Sequence, residues 1–247
     1  MGIGTENIRT IAIAGHGQSG KTTLIENLAA LTGTIARAEP VAGGKTLSDY
    51  TPEEIERKIS IYSALASMNW NDTVINFWDT PGSSDFAGEV IAAFRSTESA
   101  LMLIDGRSGA QIETIKLWRD LDRRNKPRMI FINRCEEDRT DTASVLKDIR
   151  EKFKVEVCPV TIPMGKGASY KGVIDVMQGK AYLVPAAGQK ESASDRSLCP
   201  RPRPCTSIST PNQCSCALSS PFLMTALSPT IVPFSSAIHI WLPSKSS

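Results

Sequence analysis

The sequence predicts an α/β fold in which a mostly parallel sheet is covered by helices on both faces. Short apolar runs alternate with segments whose apolar residues recur at helical spacing. The runs are apolar throughout, which is typical of strands buried on both faces, and the segments between them are long enough for crossover helices. Together these observations indicate parallel strand pairing in a layered domain.

Four strand–helix units carry this pattern. The predicted strands contain Ile11 and Ile13 in the first unit and residues 74–78, 101–104 and 129–132 in the next three. After each strand, apolar residues recur every three or four positions, which predicts one buried face for each helix. These faces consist of Leu24, Ile25, Leu28 and Leu31; Phe86, Val90, Ile91 and Phe94; Ile112, Ile115, Trp118 and Leu121; and Val145, Leu146, Ile149 and Phe153.

Two segments depart from the pattern. Residues 31–58 are polar and rich in Gly and Ala, which predicts a functional or mobile loop with a weak helix near residues 52–57. From residue 188 onward Ser and Pro dominate, and no acidic residue follows Asp195. We therefore divide the chain into a folded part, residues 1–187, and a tail, residues 188–247, which is either disordered or translated out of frame.

Charge is nearly balanced, with a formal net charge of +2, so bulk charge does not indicate a nucleic-acid binder and we expect no DNA partner. The apolar stretch 221–243 is interrupted by Pro229, Pro233 and serines, so it does not predict a membrane helix. The short, acid-containing N-terminus matches neither a signal nor a transit peptide. We expect a monomeric cytoplasmic protein.

A phosphate-binding motif follows the first strand directly. Residues 15–22 fit the pattern Gly-x4-Gly-Lys-Ser/Thr, and a helix begins behind them, which is the context that this P-loop motif requires. Glycines let backbone N–H groups turn toward phosphate oxygens, Lys21 reaches the terminal phosphates, and the Thr22 hydroxyl would ligate Mg²⁺. The predicted nucleotide-binding residues of this loop are Gly15, His16, Gly17, Gln18, Ser19, Gly20, Lys21, Thr22 and Thr23.

A second candidate segment ends the second strand. Asp79 stands at the end of a strand that neighbours the P-loop strand, where an acid can hold Mg²⁺ through water, and the Gly82 N–H can bond a γ-phosphate. Asp, Pro and Gly are also turn formers, so the segment alone fits a plain surface turn. After a P-loop it favours a nucleotide switch with contacts from Asp79, Thr80, Pro81 and Gly82.

Residues 8–187 resemble the N-terminal part of the elongation factor G family. The resemblance is carried by residues 15–23, by residues 56–61 (Glu-Arg-Lys-Ile-Ser-Ile), by residues 79–82 followed by Asp85 and Phe86, and by residues 159–176. It implies a P-loop G domain that binds GTP or GDP with Mg²⁺, the start of an inserted subdomain, and the ribosome as partner. The family continues to a final strand with a Ser-Ala loop and to four more domains. None is recognised after Gly188, so the fold is expected to be incomplete at its C-terminal end.

Two departures from the family pattern concern the metal and the reaction. The family's first switch has a threonine that binds Mg²⁺, and here Ser60 keeps a hydroxyl at that position. The family has a water-orienting histidine where this chain has Ser83, whose side chain is shorter and carries no charge. Losing such a group costs about 10²–10⁴ in rate. We expect weak hydrolysis with Lys21, Gly82 and Ser83 at the reacting phosphate, and Thr22, Ser60 and Asp79 as metal ligands.

The base-recognition motif is also altered. The family's Asn-Lys-x-Asp is here Asn133, Arg134, Cys135 and Glu136. The resemblance implies that the terminal carboxylate accepts two hydrogen bonds from guanine, and Glu136 offers that carboxylate on a side chain one methylene longer. We predict base contacts from Asn133, Arg134 and Glu136. Alternatively, Asn133 merely ends a strand and the acids are solvated.

Three hypotheses follow for the function. The resemblance implies a translation-factor GTPase that couples GTP hydrolysis to ribosomal translocation. Ser83 favours a GTP- or GDP-binding switch, or a ribosome-docking module, with little hydrolysis. The composition of the tail favours a truncated fragment without function. An ATP-using P-loop enzyme is a more remote alternative.

Overall fold

The computed structural model describes residues 4–183, 193–194 and 238–242. In chain order its strands are β1 (Ile8–Gly15), β2 (Ala64–Trp70), β3 (Thr73–Asp79), β4 (Ser99–Asp105), β5 (Arg128–Asn133), β6 (Cys158–Pro159), β7 (Thr161–Met164), β8 (Gly172–Asp175), β9 (Lys180–Leu183), β10 (Ala193–Ser194) and β11 (Ile238–Leu242). Its α-helices are α1 (Lys21–Leu31), α2 (Pro52–Arg57), α3 (Ala87–Ser96), α4 (Ile112–Arg123) and α5 (Thr142–Phe153).

The large sheet has the strand order β2-β3-β1-β4-β5-β11-β6. Strand β1 lies between β3 and β4 and is parallel to both, and β4 is parallel to β5. Antiparallel strands complete the two edges, with β2 beside β3 at one and β11 between β5 and β6 at the other. The predicted α/β fold is therefore confirmed, and its parallel part is the centre of the sheet.

Each face of the sheet carries its own apolar core. Side chains alternate along a strand, so Ile11 and Ile13 of β1 pack with α1, whereas Ala12 and Ala14 pack with α3, α4 and α5. The side chains of β4 and β5 are divided between the two cores in the same way. Phe94 of α3 is fully buried in the second core. The prediction of helices on both faces is confirmed.

An aromatic stack joins α4 to α5. The rings of Trp118 and Phe153 lie parallel with their centroids 4.3 Å apart, and the guanidinium of Arg128 lies 4.2 Å from the centroid of the Trp118 ring. The expectation that Ile112 shares this buried face is wrong, because Ile112 is 68% exposed. Ile112 is the first residue of α4, and the buried residue of that first turn is Thr114, which faces the P-loop.

Strand β2 was not predicted from the sequence. It pairs with β3 in a hairpin whose two-residue turn, Asn71 and Asp72, has φ angles of 45° and 60°. Asn and Asp tolerate this left-handed conformation, which matches the twist of a tight hairpin. Burial along β2 alternates from Ala64 onward. This alternation and the Asn-Asp pair are the sequence signals that were missed.

A second, antiparallel sheet has the order β10-β9-β8-β7. Strands β7 and β8 lie within residues 159–176, which resemble the start of an inserted subdomain. Most of the predicted tail, residues 188–247, lies outside the described residues; its two described pieces are β10 and β11. The division into residues 1–187 and 188–247 stays a prediction. In the described part of the chain, no helix is long and apolar enough to cross a bilayer.

Replacing Phe94 by Ala should destabilise the protein by about 3–5 kcal/mol, because it leaves a cavity between α3 and the sheet. Urea unfolding of the full chain, followed by circular dichroism, measures the loss. The exposed Ile112 supplies the control, since I112A should change the free energy of unfolding by less than about 0.5 kcal/mol. Equal losses for F94A and I112A would contradict the assignment of the core.

Candidate functional site

A cavity of about 690 Å³ opens where the carboxyl ends of the parallel strands meet the P-loop. Its size is within the range of about 300–1,000 Å³ that is usual for small-molecule sites. The residues that line it include most of the predicted P-loop residues, together with Ser60, Gly82, Ser83 and Arg134. Asp79 lies buried beneath the cavity, and its carboxylate is hydrogen-bonded to the lining residue Thr22.

The P-loop joins the end of β1 to the start of α1. Gly20, immediately before α1, has a φ of 98°, and a Cβ there would meet the Asn133 amide nitrogen at 2.4 Å. The Lys21 ammonium crosses the loop and donates to the carbonyl oxygens of Gly15, at 3.1 Å, and His16, at 3.0 Å. The Ser19 hydroxyl is buried and has no hydrogen-bond partner among the described residues. The loop therefore contains the Lys21 ammonium and an unused hydroxyl beside a helix N-terminus, which suits a phosphate.

Gly82 brings the segment after β3 against the P-loop. A Cβ at Gly82 would lie 2.6 Å from both the Gly17 nitrogen and the Lys21 ammonium, so only glycine fits there. The Thr80 hydroxyl donates to the Ile13 carbonyl oxygen at 2.7 Å and ties this segment to β1. Pro81 is buried. The predicted residues 79–82 thus form a largely buried segment that packs against the phosphate loop, rather than a surface turn.

The three predicted metal ligands lie together. Thr22 Oγ1 donates to Asp79 Oδ2 at 2.8 Å and lies 3.4 Å from Ser60 Oγ. The other carboxylate oxygen, Asp79 Oδ1, is buried without a hydrogen-bond partner among the described residues. Hydroxyl and carboxylate oxygens are hard donors of the kind that Mg²⁺ prefers. The residues present therefore fit this cation.

Opposite charges are buried on the two sides of the site. Burial lowers the pKa of Lys21 to about 8, against the opposing attraction of Asp79 and Asp49. Burial also raises the pKa of Asp79 to about 6, and the nearby Lys21 charge and hydrogen bonds from Ser48 and Thr22 limit that rise. The site thus places an ammonium group that can bind an anion and a carboxylate that can bind a cation in one buried region.

Ser83 has a local structural role. Its hydroxyl accepts a hydrogen bond from the Asp85 backbone N–H at 3.3 Å and caps the 3-10 helix Ser84–Phe86. It also lies 3.3 Å from the Asp85 carboxylate. Ser83 lines the cavity, but its side chain is engaged in this cap.

The predicted base-binding residues are only partly brought together. Asn133, at the end of β5, donates to the Ser19 carbonyl oxygen at 3.0 Å and so braces the P-loop. Arg134 lines the cavity and is paired with Asp105 at 2.7 Å. Glu136 does not line the cavity, although its Oε2 atom is buried without a hydrogen-bond partner in the described part of the chain.

Acidic side chains that the sequence analysis missed hold the polar segment 31–63 in place. Glu26 of α1 accepts hydrogen bonds from the N–H groups of Glu39 and Leu47. Glu54 of α2 accepts from the N–H groups of Ile61 and Tyr62. Burial alone would raise the pKa of Glu54, but these hydrogen bonds and those from Thr51 lower it. The one available signal was Thr51 three residues before Glu54, which is a capping box.

The same segment brings Ser48 and Asp49 into the metal region, by which we mean the surroundings of the predicted ligands Thr22, Ser60 and Asp79. Ser48 Oγ donates to Asp79 Oδ2 at 2.7 Å, and Ser60 Oγ donates to Asp49 Oδ1 at 2.7 Å. Burial raises the pKa of Asp49, and the hydrogen bond from Ser60 limits the rise. Neither Ser48 nor Asp49 was predicted from the sequence, because nothing in a polar loop indicates which residues turn inward.

The fold and this site define a P-loop nucleotide-binding G domain. The model of the elongation factor Tu GTP binding domain family matches residues 6–229, and the chain belongs to that family. It is 37% identical over 186 residues to elongation factor G 1 of Treponema denticola, which covers 75% of this chain and 27% of the relative. It is 32% identical over 179 residues to an elongation factor G-like protein of Thermotoga maritima, which covers 72% of this chain and 26% of that protein.

Two further relatives agree with this assignment. Mitochondrial ribosome-releasing factor 2 of Yarrowia lipolytica is 35% identical over 178 residues, which covers 71% of this chain and 22% of the relative. A crystal structure of a protein from Thermus thermophilus superposes with a TM-score of 0.70 at 32% identity and covers 76% of this chain and 28% of that one. The chain spans about a quarter of the length of the relatives it matches. The resemblance to elongation factor G stated from the motifs is confirmed.

Replacing Lys21 by Ala should weaken binding of a fluorescent guanine nucleotide by at least about thirtyfold, because removing one partner of a buried charged contact costs about 2–5 kcal/mol. Fluorescence titration measures the dissociation constant. The exposed Lys116 on α4 supplies the control, and K116A should bind like the wild type. Wild-type affinity in K21A would overturn the phosphate-loop assignment.

Proposed function

We propose that this chain binds GTP and GDP with Mg²⁺ and acts as a translation-factor GTPase on the ribosome, with a low rate of hydrolysis. The observation that carries the proposal is the convergence of Lys21, Thr22, Asp79 and Gly82 on one cavity, in a chain of the elongation factor Tu GTP-binding family. Phosphate binding is supported by the buried ammonium and by the unused Ser19 hydroxyl. The relatives' names support the ribosome as partner and protein synthesis as the process.

Three side chains would hold the cation. The Thr22 and Ser60 hydroxyls and the Asp79 carboxylate lie together beneath the phosphate loop. When bound, Mg²⁺ would neutralise the negative charge of the terminal phosphates. Lys21 and the Gly82 N–H would hold the γ-phosphate, since Gly82 packs directly against the Gly17 nitrogen and the Lys21 ammonium.

Slow hydrolysis follows from the absence of an imidazole at position 83. The chain has two histidines, His16 and His239. His16 is buried, its Nδ1 lies 3.5 Å from the Thr114 hydroxyl, and burial together with Lys21 lowers its pKa. His239 lies in β11, paired with Phe131 of β5. Ser83 can neither carry a charge nor reach as far as an imidazole, so water would be oriented poorly.

We propose that Glu136, although it lies outside the cavity lining, supplies the selectivity for guanine. Its buried, unpartnered Oε2 is a strong acceptor that a base with two N–H donors would satisfy. Asn133 supports this edge by bracing the P-loop, and Arg134 is held beside it by Asp105. We propose further that the protein is a cytoplasmic monomer, without a DNA or membrane partner.

Purified protein should release phosphate from GTP faster with ribosomes than ribosomes do alone, and S83H should raise that rate by about 10²-fold or more, because an imidazole at this position orients water. A phosphate-release assay at saturating GTP measures both. The exposed Ser96 at the end of α3, which does not line the cavity, supplies the control, since S96H should leave the rate unchanged. Stimulation without a gain from S83H would show that the histidine position is not limiting. No stimulation by ribosomes in either protein would favour a binding switch.

GTP should displace a fluorescent nucleotide at much lower concentration than ATP. The E136Q substitution should weaken GTP binding by about tenfold or more, because a hydrogen bond to a charged group contributes about 1.5–3 kcal/mol. Competition titrations measure both affinities. D138N, which removes a nearby exposed carboxylate, should leave them unchanged. If E136Q leaves the preference for GTP intact, Glu136 does not read the base.

A further inference from the structure

Two hydroxyl groups in the metal region have their hydrogen atoms committed to different carboxylates. Thr22 Oγ1 donates to Asp79 Oδ2 at 2.8 Å, and Ser60 Oγ donates to Asp49 Oδ1 at 2.7 Å. A hydroxyl has one hydrogen to donate and two lone pairs. Each of the two oxygens is therefore left with lone pairs only.

These two oxygens lie 3.4 Å apart. With both hydrogens donated elsewhere, no hydrogen remains for a bond between them, and each oxygen can act only as an acceptor. Neighbouring ligands of an octahedral Mg²⁺ with bonds of about 2.0–2.1 Å are about 3 Å apart. The pair of carboxylates thus arranges the two hydroxyls as acceptors for a cation.

Asp49 is held firmly enough to have this effect. It is 6% exposed, and its own backbone N–H donates to the Thr46 hydroxyl at 3.3 Å. On one side Leu47 is anchored to Glu26 of α1. The adjacent Ser48 donates to Asp79 at 2.7 Å. The Asp49 carboxylate is therefore presented to Ser60 from a segment tied to both the P-loop helix and the end of β3.

Asp49 is needed to orient the hydroxyl at position 60 because that residue is a serine. A threonine has a branched Cβ that restricts rotation about χ1, whereas the hydroxymethyl group of a serine rotates more freely. Ser60 is only half-buried and sits after the exposed residues Lys58 and Ile59, so packing does little to fix it. A hydrogen bond to a fixed carboxylate selects one orientation for the hydroxyl.

We propose that Asp49 is a positioning residue: it accepts the Ser60 hydroxyl hydrogen and thereby directs the Ser60 lone pairs at the cation shared with Thr22. This inference rests on the proposed binding of GTP with Mg²⁺. Asp49 would orient the Ser60 hydroxyl, whereas a β-branched side chain at position 60 would orient its own hydroxyl. Asp49 and Ser60 should therefore be energetically coupled.

The test measures the Mg²⁺ concentration that half-saturates tight binding of a fluorescent, non-hydrolysable GTP analogue. Loss of a group that orients a metal ligand typically costs about 10–100-fold in metal affinity. D49N should raise the half-saturating Mg²⁺ concentration by that factor, with the affinity of each variant in EDTA measured as its own baseline. In the S60T background, D49N should raise it by less than about threefold, because the branched side chain is already oriented.

The exposed Glu53 on the same segment supplies a control for the loss of one negative charge, and E53Q should behave like the wild type. Thermal unfolding of each variant shows whether it is folded. If D49N alone is unstable, the Mg²⁺ dependence of S60T and of S60T with D49N supplies a second comparison. An equal effect of D49N in both backgrounds would overturn the proposal, since Asp49 would then act only by charge or structure. No effect in either would also overturn it. A wild type that binds no nucleotide overturns the proposed function as well, whereas tight binding unaltered by D49N removes only this inference.

Discussion

The site depends on one electrostatic constraint, the burial of opposite charges at the carboxyl edge of a parallel sheet. Parallel pairing sets Ile13 of β1 beside Asp79 of β3, so the P-loop begins where the carboxylate is buried. Lys21 enters the same region from the first turn of α1. Because isolated buried charges are costly, each must be satisfied by carbonyl oxygens, hydroxyls or a ligand. The close packing of Gly82 against the loop follows from this arrangement.

The polar segment between α1 and β2 is attached to this charged centre by carboxylates. Glu26 binds its first half and Glu54 binds the backbone just after Ser60. Asp79 accepts from Ser48 in the middle of the segment. Outside the short helix α2, carboxylate acceptors for backbone N–H groups take the place of regular secondary structure in this stretch. The stretch is thus attached to α1 and to the end of β3 by a few hydrogen bonds.

Short-range patterns predicted the parts of the molecule that depend on local geometry. Glycine spacing and the following helix predicted the P-loop, and the structure places Gly20 in a left-handed conformation that excludes other residues. The hairpin strand β2 and the exposure of Ile112 escaped prediction, because they depend on which partner each residue meets. Glu136 shows the same limit, since its motif is recognisable but its side chain lies outside the cavity lining.

The sequence by itself determined the four central strand–helix units, the phosphate loop and the membership of the domain in its family, because each depends on residue types at fixed spacing along the chain. Only the tertiary structure decided that Asp49 and Ser60, eleven residues apart, are joined by a hydrogen bond, and that the Thr22 hydroxyl lies 3.4 Å from the hydroxyl of Ser60. Asp49 and Ser60 lie in the stretch between α1 and β2, where α2 is the one α-helix among the described residues. The path of this stretch is determined by where buried carboxylates find donors, and that depends on three-dimensional packing.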